Sequence, residues 1–99
     1  MYKKLIEEYK DIFYTQCVEC GEGWYSIVKK LVEQLACVKE LAKIDLKITQ
    51  IKEKFGVLRV YFLADSTKET KTDIIKVSDI IDSIIVYAET CSVDKCEIC

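Results

Sequence analysis

Six cysteines fall in a chain of 99 residues, and four of them form two spaced pairs, Cys17-x-x-Cys20 and Cys96-x-x-Cys99. A two-residue gap lets both thiolates of a pair face one tetrahedral ion, and two such pairs complete a four-thiolate zinc site. Gly21, directly after Cys20, leaves room for backbone N–H groups to turn toward the sulfurs. Residues 21–95 lie between the pairs, so a structural zinc on Cys17, Cys20, Cys96 and Cys99 would clip the ends of one domain together. The competing reading is four reduced thiols without a metal. A redox role fits less well, because neither pair opens a helix after a strand. Cys37 falls beside the apolar stripe of a helix and reads as a packing residue, while Cys91 ends the last helix and could replace one of the four ligands.

A second constellation is basic and aromatic. Lys52, Lys54 and Arg59 crowd around Phe55-Gly56, between two runs with strand character. With Phe55-Gly56 as a two-residue loop, Lys54 faces Val57, Lys52 faces Arg59 and Gln50 faces Tyr61. Ile51, Leu58, Val60 and Phe62 then share the opposite, apolar face. Like charges directly across a ladder destabilise it. An anion bridging Lys52 and Arg59 would relieve this, with Lys54 near and Tyr61 able to stack on a base. Trp24, at the start of a helix, is a second candidate stacker, although a lone Trp at such a place is more often a core anchor. The plainer alternative is a solvated sheet face balanced by Glu53. A three-residue loop ending in Gly56 would also spare Phe55 a positive φ and change the pairing.

These groups are positioned by few elements. Tyr2, Leu5, Ile6 and Tyr9 recur at helical spacing, with Ile12 and Phe13 continuing the stripe. Residues 17–23 hold two of the three glycines and read as a turn. Trp24, Ile27, Val28, Leu31, Leu35 and Val38 set out a second helix that ends before Asp45. Leu46–Lys54 and Val57–Ala64 make the hairpin, and Asp65–Thr72 a polar loop. Thr72 or Asp73 caps a third helix whose broad face is Ile74, Val77, Ile80, Ile81, Ile84, Ile85 and Ala88. Ile75 and Val86 fall outside that face, which suits either a self-association surface or a central helix covered on both sides. The expected fold is α+β, in the order α-α-β-β-α, with an antiparallel hairpin packed on helices in a single domain over 1–99.

Composition limits the functions. Hydrophobic residues are 51%, enough for a core, and the formal net charge of −2 disfavours a general nucleic-acid-coating role. No apolar run approaches the roughly 20 residues that span a bilayer, and the start of the chain lacks the apolar stretch of a signal peptide. The expected location is the cytoplasm. The absence of His removes the commonest general base, and a zinc closed by four thiolates leaves no position for a catalytic water. Glu53 and Glu89 remain as candidate acids, each equally suited to a solvated surface. The chain therefore reads as a binding protein, not an enzyme.

The stretches Cys20-Gly21-Glu22-Gly23-Trp24, Ile51-Lys52-Glu53-Lys54-Phe55-Gly56-Val57-Leu58-Arg59-Val60-Tyr61, Ala88-Glu89-x-Cys91-Ser92 and Cys96-Glu97-Ile98-Cys99 resemble a set of small phage and prophage proteins. Their pattern is C-G-x-G-W, K-E-K-F-G-x-L-R-x-Y, A-E-x-x-S and C-E-x-C, and the resemblance covers about residue 17 onward. It implies a phage origin, hence the host cell cytoplasm, more directly than an activity. By analogy with other small phage proteins, it suggests an oligomeric sponge that sequesters an anionic nucleotide immune signal, with Lys52, Lys54 and Arg59 on phosphate and Tyr61 and Trp24 on the base. The alternative is a zinc-clipped adaptor that binds a host protein or nucleic acid.

Overall fold

A computed structural model of the chain describes residues 2–14 and 18–95. Helix α1 (Tyr2–Glu8) is short because its stripe leaves the helical path after one buried residue, Leu5. The Ile12 N–H closes a turn on the Tyr9 carbonyl at 2.9 Å. Ile12 and Phe13 are buried, but not on a helix as their spacing suggested. They run beside a strand, where the Ile48 N–H donates to Ile12 O at 2.7 Å and the Tyr14 N–H to Ile48 O at 3.0 Å.

The stretch expected to be only a turn contains a two-residue strand, β1 (Val18–Glu19), and a 3₁₀ turn over Glu22–Trp24. Helix α2 (Tyr25–Ala42) follows, burying Val28, Leu31, Val32 and Leu35. It ends at Lys43, whose left-handed φ of 56° breaks the helix. The Lys43 carbonyl accepts hydrogen bonds from the Thr67 and Thr70 hydroxyls, each at 2.6 Å. The polar loop is thereby stitched to the end of α2. Cys37 is exposed on α2 and does not pack.

β2 (Ile44–Lys54) and β3 (Val57–Ser66) form the antiparallel hairpin, and β1 joins the other edge of β2 in parallel. The strand order is β1-β2-β3. Thr49 is an extra residue between Ile48 and Gln50, a bulge that lets Ile48 and Ile51 both face the core. Helix α3 (Ile74–Val93) is capped by Asp73, which accepts the Ile75 N–H at 2.9 Å. It returns along β3, so that its last turn meets the start of that strand. There the buried Ser92 hydroxyl accepts the Leu58 N–H at 3.0 Å and donates to the Glu89 carbonyl at 2.6 Å. One core joins α1, both long helices and the inner sheet face, where each buried Leu or Ile contributes roughly 1.5–3 kcal/mol relative to exposure. The architecture is α+β, in the expected order with β1 added. No helix of the described residues is long and apolar enough to cross a membrane.

Candidate anion-binding face

The hairpin turns through Phe55 at φ 55° and Gly56 at φ 77°, the two positive values a two-residue turn matched to strand twist requires. The Glu53 carboxylate braces this turn by accepting the Gly56 N–H at 2.6 Å. Register follows from the turn: Lys54 lies opposite Val57, Lys52 opposite Arg59 and Gln50 opposite Tyr61. Leu58 and Val60 are buried against the helices. Gln50, Lys52, Arg59 and Tyr61 therefore share the outer face of the sheet, with Lys54 at its tip.

Two cation–aromatic pairs lie along this hairpin. The Lys52 ammonium is 5.6 Å from the centre of the Tyr61 ring, and the Lys54 ammonium is 5.9 Å from that of Phe55. Tyr61 is 43% exposed and Phe55 91%. Arg59 reaches toward α3, where its guanidinium is 3.6 Å from the Glu89 carboxylate. This half-exposed ion pair is long, worth about 0–1 kcal/mol, and leaves Arg59 free to meet another anion. Glu89 is thus the counter-charge of the face, and Glu53 a brace of the turn.

Trp24 is not part of this face. Its indole is 1% exposed in the core, and its N–H donates to the Lys95 carbonyl at 2.6 Å. Neither ring face is open to a base, so the core-anchor reading holds. Phe55, a turn residue, also presents an exposed ring beside Lys54 at the tip of this face. Its signal was available: a bulky aromatic directly before the Gly of a tight turn, where Asn or Asp is usual.

Of the four cysteines assigned to zinc, Cys17, Cys96 and Cys99 lie outside the described residues. Cys20 is half-buried, with its thiol 3.4 Å from the Tyr2 hydroxyl, which itself donates to the Gly21 carbonyl at 2.8 Å. Among the described residues, no group of three or more His, Cys, Asp or Glu is placed to hold a metal.

At the open end of the hairpin, an open groove of about 550 Å³ is lined partly by Glu8, Tyr9, Asp11, Lys39, Glu40 and Lys43. Desolvation first, and then Glu8 and Glu33, push the Tyr9 phenol above its ordinary value, with Lys29 opposing. It stays protonated near neutrality and offers no base. No family model matches the chain, and neither a curated protein nor a solved structure matches it.

Proposed function

We propose that this chain is a small binding protein that sequesters an anionic nucleotide on the outer face of its hairpin. The observation that carries the reading is Lys52 directly opposite Arg59, with the Tyr61 ring beside Lys52. Two cations held together by strand register repel each other, and a phosphate between them turns that repulsion into two charge-assisted hydrogen bonds. Lys54 adds a third cation, and Tyr61 and Phe55 offer ring faces to a base. Sequestration requires affinity and no bond chemistry. In the biological setting suggested by the phage resemblance, the ligand is a nucleotide immune signal withheld from its receptor.

Calorimetry with linear and cyclic nucleotides, and with inorganic phosphate as control, tests the reading. Lys52→Ala and Arg59→Ala should each weaken nucleotide binding by about 1.5–3 kcal/mol, roughly tenfold or more. The nucleotide should be recovered intact afterward. Equal affinity in both variants and the parent would sink the assignment.

One observation favours a second reading, the zinc-clipped adaptor. Lys95, the residue before Cys96, accepts the Trp24 indole N–H through its carbonyl, and its ammonium lies 3.1 Å from the Ser26 hydroxyl. The chain leading to the second cysteine pair therefore meets the chain that follows Cys20. A zinc on four thiolates would lock that junction as structural support. Elemental analysis of protein purified without chelator should give one zinc per chain, and its removal should lower the melting temperature. Metal-free protein of unchanged stability would exclude the clip.

A further inference from the structure

The two edges of the sheet are treated differently. The outer edge of β2 is occupied by Ile12–Tyr14 and by β1. Among the described residues, no strand lies beside the outer edge of β3. Because Lys54 and Val57 flank a two-residue loop, they exchange hydrogen bonds. Alternation along β3 then aims the amides of Leu58, Val60, Phe62, Ala64 and Ser66 away from β2. Among the described residues, only the Leu58 N–H of this set meets a partner, the Ser92 hydroxyl. Long open edges are usually blunted by a charge, a Pro or a bulge on the edge strand. Here β3 has neither Pro nor bulge, and its two charges, Arg59 and Asp65, flank an uncharged middle that shows Tyr61 and Leu63, the latter 61% exposed.

The charges along this strand are polar end to end. Near the turn Lys52 lies opposite Arg59, both positive; at the open end Asp45 lies opposite Asp65, both negative. Each pair is unfavourable within one copy. We infer that β3 pairs antiparallel with β3 of a second copy, about a twofold axis at Phe62, to form one continuous sheet. That register sets Tyr61 against the partner's Leu63 and Arg59 against the partner's Asp65, each contact occurring twice. It joins Val60 to the partner's Ala64 through outward-facing amides and stops short of Leu58, which Ser92 already closes. A twofold at Leu63 would instead set Tyr61 against Asp65, and one at Phe62's neighbour Tyr61 would run into the Ser92 contact. Charge and apolar match thus select Phe62.

Helix α3 agrees with this placement. At about 100° per residue, Ile75, Val86 and Val93 fall on the flank of α3 that carries Glu89, the side facing the β3 edge. All three are exposed in the single chain. A perpendicular twofold places both helix layers on one side of the joined sheet, so these flanks approach each other. Since both copies use the same β3 edge, and the other edge strand, β1, is only two residues long, the pairing closes at two copies and does not propagate. The inference stands on edge geometry and charge, and makes no use of the nucleotide reading.

Sedimentation equilibrium on the full chain, reduced and without nucleotide, is the direct test. A dimer that dissociates on dilution is expected. Leu63→Lys and Asp65→Arg should each raise its dissociation constant about tenfold or more, because each change is felt twice. Exchanging the charges, Arg59→Asp with Asp65→Arg, should restore pairing relative to Asp65→Arg alone. In the unaltered chain, the Phe62 and Ala64 amides should exchange hydrogen more slowly as concentration rises. A monomer throughout the micromolar range, a dimer indifferent to both single substitutions, or concentration-independent exchange at Phe62 and Ala64 would overturn the inference.

Discussion

At the scale of single residues, two side chains hold more than their own volume. Ser92 is buried and serves the Leu58 N–H and the Glu89 carbonyl together, so one hydroxyl ties α3 to β3. Ser92→Ala leaves the Leu58 N–H buried without a partner and should cost about 1–3 kcal/mol. Urea unfolding should show this as a lower midpoint at unchanged slope. Phe55 is the opposite case, a residue that costs stability where it stands. A left-handed φ of 55° is roughly 1–2 kcal/mol unfavourable for a side chain of this kind, and its ring is almost wholly in solvent. Phe55→Asn should therefore stabilise the fold by about 0.5–1 kcal/mol. If Phe55 supports base stacking, the same variant should bind nucleotide less tightly. Thermal unfolding and calorimetry on one preparation check both signs, and a gain in stability with unchanged affinity would remove Phe55 from the site.

At the scale of elements, the hairpin was legible and the edges of the sheet were not. The run Leu58–Phe62 alternates apolar with more polar residues, which shows a strand with one buried face. The facing of Lys52 and Arg59 also needs a two-residue loop, and the sequence left a three-residue loop open until the positive φ of Phe55 decided it. The cap of α3, narrowed to Thr72 or Asp73 and found at Asp73, and the outward Ile75 and Val86 were legible because each is set by residues one or two turns away. The β1 pairing and the strand-like path of Ile12 and Phe13 depend on β2, more than thirty residues distant, and a helical apolar spacing cannot report them. Trp24 was ambiguous because its burial depends on Lys95, at the far end of the chain. The Thr49 bulge left a trace. Ile44, Leu46 and Ile48 alternate, but Ile51 is three residues beyond Ile48, so a regular strand cannot bury all four. Deleting Thr49 puts Ile44, Leu46, Ile48 and Ile51 on one regular period of two and leaves Ile48 opposite Phe62 and Gln50 opposite Tyr61. The expected outcome is a variant that still unfolds cooperatively, whereas deleting Lys47, which turns Ile44 and Leu46 toward solvent, should abolish cooperative thermal unfolding. Loss of cooperative unfolding on deletion of Thr49 would mean that the fold needs the bulge for more than the phase of its apolar residues.

At the scale of the whole molecule, the outer sheet face is an electric dipole, and Arg59 is where its possible partners meet. Within one copy Arg59 is answered only weakly by Glu89. The nucleotide reading gives it a phosphate, and the edge pairing gives it the partner's Asp65. A single guanidinium that serves both in turn makes the two equilibria competitive, and linkage requires the competition to be reciprocal. Saturating nucleotide should then shift the dimer toward monomer, and dimerisation should lower nucleotide affinity. Asp65→Asn separates the effects, because Asp65 is exposed at the far end of the strand and removing its charge leaves Lys52, Lys54 and Tyr61 untouched. This variant should dimerise more weakly and, at concentrations where the parent is dimeric, bind nucleotide more tightly. Sedimentation and calorimetry read the two changes independently. Opposite signs mean that one residue is shared between partner and ligand. Weaker dimerisation with unchanged nucleotide affinity would place the phosphate on Lys52 and Lys54 alone, with Arg59 belonging to the interface.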